Sequence, residues 1–351
     1  MDTLNRFIIV CLLALVQTAF SFASEENLDQ ELLYTVKKND TVWGICKTYV
    51  SDPLCWQKLV QYNQLKNPKY LPPKSIIRIP KTWLIDHPTT ALVIAVEGDV
   101  LVVRDASTAE TVLTVGDLLN QQDVVKALNG SATIKFADDS RLLLKANSTI
   151  RMASLQFYDP SQLVNTRIEL LKGRVKAQVK KITNQNSSYQ ISTPAAVAAV
   201  RGTEFRVGRA QATKTAPVVM RTELLTGVLE VSAESNARTI TAGQAVMAIE
   251  GEGVSEPVFL LPRPLMVLNQ QQNFNLPFTF SWQLVPLAVG YKVTLMMKDV
   301  QIWEVETDKP EVLIEDIPYG EYQVLIRGID VQGFEGRNRR LNLNYLLPVS
   351  P

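Results

Sequence analysis

Histidine is almost missing from the 351 residues. There is one, His87, beside three cysteines. That supply excludes metal sites rich in His or Cys, and any Ser-His-Asp arrangement would have to use this single imidazole. No Walker or dinucleotide loop and no nucleophile elbow occurs, so no cofactor is expected. A hydrolase working through paired carboxylates needs no such motif, but no segment resembles a lytic domain. The chain is therefore read as non-enzymatic. A strong net charge is also lacking: the balance is +1, which predicts no general attraction to nucleic acid. Beyond residue 16 no apolar run is long enough to cross a membrane. What remains, 46% apolar and 20% charged residues, describes a folded chain with room for two or three domains.

The one strongly apolar run, "FIIVCLLALV" (7–16), is followed by "SFA" (21–23). Ten apolar residues are short for a membrane span of ~20 but suit a signal peptide, residues 1–23, cleaved after Ala23. Export would remove Cys11 and leave Cys46 and Cys55 in an oxidising compartment, where a disulfide is expected. The alternative is a small buried Cys46 and a loose thiol at Cys55. Charge is unevenly spread. Residues 34–80 hold eight Lys and Arg against two Asp, a local net of +6, so the rest of the chain is mildly acidic.

Within "LLYTVKKNDTVWGICKTYV" an alternating run gives way to Asn39-Asp40-Thr41, a turn with a helix cap at Asp40 or Thr41. Val42, Ile45, Cys46 and Tyr49 then recur on one helical face, which Trp43 does not share. Ser51-Asp52-Pro53 ends that helix and starts another, with Trp56, Leu59 and Val60 spaced for burial. The three prolines of "NPKYLPPK" exclude regular structure, and "SIIRIP" closes with a strand. This strand–helix–helix–strand order, with its Asp-Thr cap, Trp-Gly-Ile, Asn-Pro loop and terminal Ile-Pro, resembles the LysM domain over residues 32–80. The resemblance implies a small α+β fold that binds peptidoglycan or another N-acetylglucosamine polymer in a shallow groove between two loops. Carried over, those loops are Asp40, Thr41 and Val42 on one side and Asn67, Pro68, Tyr70 and Leu71 on the other. Backbone with Leu71 and Pro72 would take an acetamido group, and Tyr70 would lie against a sugar ring. The family usually has glycine where Asn39 and Lys74 stand, positions that often need positive φ.

Residues 81–90, with His87, read as a linker. From 91 to 253, β-branched runs alternate with polar turns and no helical period competes. "IELLKGRVKAQV" and "TELLTGVLEVSA" align with their glycines, 173 and 227, 54 residues apart, and "IAVEGDVLVV" echoes them around Gly98. Each glycine is expected to mark a tight turn or bulge. The run 115–150, "LLKGRVKA", "STPAAVAAVRGTEFRV" (192–207) and "TAGQAV" resemble the periplasmic FecR domain, which implies an extracytoplasmic all-β interaction domain. In "RGTEF" the reading is structural: a bend at Gly202, Phe205 in the core, and Arg201 paired with Glu204. Signalling relatives place a sigma-binding arm before a membrane segment. Here about six residues precede the apolar run, so sigma regulation by this chain alone is not expected.

Residues 257–348 carry "FTFSWQLVPLAVGYKVTLMM" and "YGEYQVLIRGID", which look like the strands of a fibronectin type III or immunoglobulin-like sandwich, with Trp282 and Tyr291 in its core. The chain is thus expected to be multidomain: a small βααβ module, then two all-β domains. The partners expected are peptidoglycan and an envelope protein. A sensing role, in which the FecR-like region engages a transporter or membrane regulator, is the alternative.

Overall fold

The computed structural model describes residues 31–85, 87–105, 107–158, 163–180, 187–200, 202–267, 276–298 and 300–345. The signal-peptide reading and Arg201 lie outside them. The described residues fall into two compact units that divide between Leu84 and Ile85.

The first unit pairs β1 (Glu31–Thr35) with β2 (Ile76–Pro80) in an antiparallel ribbon, Leu33 opposite Arg78. Between them stand α1 (Val42–Tyr49) and α2 (Cys55–Tyr62). Thr41, not Asp40, caps α1: its β-region backbone lets Oγ1 accept from the Gly44 N–H at 3.0 Å. Val42, Ile45 and Cys46 are buried as their spacing requires, together with Leu59, Leu71, Ile77 and Ile79. Trp56 departs from expectation. It is 45% exposed, because α2 is two turns long and turns only Cys55 and Leu59 fully inward. The Cys46–Cys55 disulfide forms, with Cα atoms 5.7 Å apart, and links the two helices. Part of the stretch read as a linker belongs to this fold: Lys81–Trp83 is a 3₁₀ turn, Trp83 packs edge-on against Tyr62, and Leu84 bridges to Val50.

The second unit is all strand. Its first part closes into one β network made of two sheets that share the long strand Leu163–Gln178. Residues 163–172 pair with Ser148–Tyr158 in sheet I, and 173–178 pair with Glu204–Ala210 in sheet II. Gly173, at φ +80°, is the crossing point. A Cβ there would come within 2.3 Å of Ser148 Oγ and 2.6 Å of the Asn147 carbonyl. The other repeat glycines do the same work. Gly98 (φ +65°) separates Ala91–Glu97 in sheet II from Val100–Val103 in sheet I, and Gly227 (φ +88°) separates Val219–Thr226 from Val228–Ser232. The internal similarity is therefore a repeated corner between sheets, which needs a left-handed backbone. The inward faces share one core that includes Val93, Ile134, Leu170, Ile191, Phe205 and Met220. His87–Pro88 also joins this body, pairing with Phe157 and Gln156.

In the C-terminal part, the ribbon of Phe278–Ser281 with Glu311–Ile314 faces a four-stranded sheet ordered Val300–Thr307, Ala288–Met297, Gly320–Asp330, Arg339–Tyr345. Trp282 is 2% exposed and packs against Tyr291, ring centroids 5.2 Å apart, in the core between them. The other face of that four-stranded sheet covers sheet II. Strand alternation puts Phe205 and Val207 in the core and turns Arg206 the opposite way, yet Arg206 is buried too. The layer between the sheets is ionic. Lys145, Arg174, Arg206, Lys292 and Arg327 surround Glu223, Glu304 and Glu335. Glu335 is 2.5 Å from Arg327, 2.8 Å from Lys292 and 3.2 Å from Arg174. Its N–H donates to Glu223, and Arg206 donates to the carbonyls of Glu335 and Gly336. Burial opposes ionisation of Glu335, but the cations around it hold its carboxyl well below the usual range.

Candidate functional site

The two expected binding loops leave the same end of the β1–β2 ribbon, where Thr35 pairs with Ile76. The ladder runs one step past the strands: the Val36 N–H donates to Ser75 and the Lys74 N–H to Val36, at 2.9 and 2.8 Å. This lays the segment before β2 beside the turn that follows β1. Asn39 and Lys74 both adopt the left-handed conformation, at φ +73° and +72°. They fill positions shaped for glycine, asparagine at small cost and lysine at more.

The proposed site residues fall into three kinds. Asp40 and Thr41 are committed to the fold. One Asp40 carboxylate oxygen accepts from the Lys37 N–H at 2.6 Å and from the Tyr34 hydroxyl at 2.7 Å, while Thr41 is the helix cap. Burial and the adjacent Asp40 charge push the Tyr34 phenol well above its ordinary pKa, so it stays a donor. Val42 and Leu71 are core side chains, 3% and 5% exposed, and only their backbone is left for a ligand. Asn67, Pro68 and Tyr70 form an outward turn in which the Tyr70 N–H donates to the Asn67 carbonyl. The Asn67 side-chain oxygen accepts from the Lys69 N–H, which leaves the amide NH₂ as a donor, and the Tyr70 ring is 64% exposed. An exposed ring next to an amide donor is a surface that can stack on a sugar ring and donate to an acetamido group.

Residues 34–80 match the model of the LysM domain. This module is a LysM domain. Residues 122–222 match the model described as FecR protein, within the two-sheet body. No curated protein matches the chain. Among solved structures it is similar to one from Parabacteroides distasonis, provisionally described as an anti-sigma factor. Identity is 14%, over 39% of this chain and 59% of that one, with a TM-score of 0.32. A second is the extracellular domain of a protein from B. thetaiotaomicron, provisionally described as a hybrid two-component system. Identity there is 12%, over 71% of this chain and 46% of that one, with a TM-score of 0.19. The chain thus spans about three-fifths of the first structure. Likeness at these scores carries no functional weight.

The LysM surface has a further aromatic that its spacing pattern left aside. Trp43, next to the cap, is 65% exposed, with the Lys47 ammonium 5.5 Å from its ring. Its position off the apolar helical face was the signal that it turns outward. Away from the loops, Glu31 is 2% exposed and takes a two-pronged bond from Arg78, at 2.6 and 2.9 Å, plus the Tyr62 hydroxyl. Burial works to raise its pKa, yet these donors bring it below the ordinary value. In "RGTEF", Gly202 is left-handed at φ +83° and Phe205 is fully buried. The described partners of Glu204 are Lys176 at 2.8 Å and Arg340 at 3.2 Å.

Proposed function

We propose that the chain is a non-catalytic envelope protein, exported by a signal peptide cleaved after Ala23, whose LysM domain binds peptidoglycan. The observation that carries this reading is the match of residues 34–80 to the LysM domain, on a module whose Asn67–Tyr70 turn faces outward. Its net charge of +6 suits a polymer that bears stem-peptide and lactyl carboxylates, an attraction that weakens with salt. Asn67 and Tyr70 contact the glycan directly, Pro68 and the backbone of Asp40, Thr41, Val42 and Leu71 complete the groove, and the protein resides in the periplasm. A disulfide in so small a domain fits that oxidising compartment. The FecR-like body and a fibronectin type III or immunoglobulin-like C-terminal domain present surfaces to an envelope protein. Changing Asn67 and Tyr70 together to Ala should sharply reduce pelleting with purified sacculi while the thermal transition stays in place. Unchanged pelleting would reject the groove.

The FecR match supports a second reading, in which the β-body senses a transporter or membrane regulator. Crosslinking in cells separates the two: capture of a transporter favours sensing.

A further inference from the structure

The ionic layer between sheet II and the C-terminal sheet opens into a cavity of about 240 Å³. Seven of its lining residues are Lys or Arg and one, Glu204, is a carboxylate. That is a strong enrichment, because residues 85–351 hold 26 Lys and Arg against 28 Asp and Glu. Glu204 is shared between Lys176 and Arg340 and so neutralises neither pair member fully. Arg206, 3% exposed, also lines the cavity; its Nε pairs with Glu223 at 2.7 Å, but its Nη1 has no hydrogen-bond partner and stands 3.6 Å from Glu335. A buried guanidinium N–H without an acceptor is costly and points to a missing acceptor. Lys145, Arg206 and Arg327 of this lining belong also to the ionic layer, where with Arg174 and Lys292 they face Glu223, Glu304 and Glu335, and Glu306 pairs with Lys292 from the exposed side. Leu143, Met296 and Leu325 add apolar wall, and Gln301 Oε1, also without a partner, offers a place for a ligand hydroxyl.

We propose that this cavity binds a small oxyanion, a carboxylate or phosphate ester on a compact body, held between the FecR-like body and the C-terminal sheet. Burial pulls the Lys176 ammonium below its ordinary pKa and Lys145 down to about 8, a cost that a bound anion would offset. The site is independent of the LysM reading, since every lining residue lies in the second unit.

The test is calorimetric titration and thermal unfolding of residues 24–351 at fixed ionic strength, with inorganic phosphate, phenyl phosphate, benzoate and chloride as probes. At least one oxyanion should bind saturably and raise the transition, and chloride should not. A phosphate-only response assigns the ester, a benzoate response the carboxylate. Arg340→Gln should weaken that binding roughly tenfold, as loss of one charge-assisted bond does. Glu204→Gln should tighten it, an effect that misfolding cannot imitate. Responses equal to chloride for every probe, or a Glu204→Gln variant that binds no better than the parent, would overturn the proposal.

Discussion

In the LysM domain a covalent bond joins two short helices over a dozen buried side chains. In the β-body the described residues hold no disulfide, and eight ionisable groups are packed between two sheets instead. The difference follows from size. About fifty residues cannot bury enough apolar surface to be secure, so a staple that limits the unfolded chain is worth having. The larger body has a core to spare and can carry polar side chains at an internal face, provided each charge is answered. The two regions also divide the work. The small domain buries one carboxylate, Glu31, in an otherwise apolar interior and turns its lysines, Trp43 and Tyr70 outward, whereas the body turns a whole layer of charge inward, where it joins two sheets.

The sharpest way to break that contrast is to remove one member of the buried layer. Glu335→Ala leaves Arg327, Lys292, Arg174 and Arg206 without their common carboxylate. It should destabilise the β-body by about 3–5 kcal/mol and leave LysM-domain hydrogen exchange unchanged. A loss under about 1 kcal/mol would mean that the layer behaves like surface charge. The converse experiment replaces Cys46 and Cys55 together by Ser. Exchange within residues 31–84 should accelerate by the equivalent of roughly 2–3 kcal/mol, with the β-body untouched; equal protection in both proteins would show the staple to be dispensable.

A smaller effect separates the regions by pH. Glu31 has a lowered folded pKa, so its contribution is present above the unfolded value and lost as pH falls through the folded one. The LysM domain should therefore lose stability below about pH 4, and Glu31→Gln should flatten that acid limb. An unaltered limb would place the acid sensitivity elsewhere. The smallest change is Lys74→Gly, which relieves a left-handed lysine but loosens the unfolded chain. A net gain below about 1 kcal/mol is expected, and denaturant midpoints would reveal a loss if the strain were absent.

Legibility in the sequence divides along the same line. The LysM domain was legible because its determinants are local: a cap, a helical face, two cysteines nine apart and a closing strand. Even there, spacing placed Val42 in the core but did not foresee that Leu71 joins it while Asn67 and Tyr70 face solvent, nor that Trp56 stays exposed. In the body, three aligned glycines correctly marked special backbone. Their common role emerged only with the pairing, because a corner between sheets is a tertiary fact. The ionic layer was not legible at all. Arg206 and Glu223 sit where alternation predicts an outer, polar face, and that face is covered by residues more than 100 positions away.

Anchoring of the chain to the wall by its opening module is read most directly from sedimentation with purified sacculi. Residues 24–351 should pellet at low salt, and a protein lacking residues 24–85 should stay in the supernatant. Equal behaviour of the two, whether both pellet or neither does, would contradict a wall anchor in the opening module.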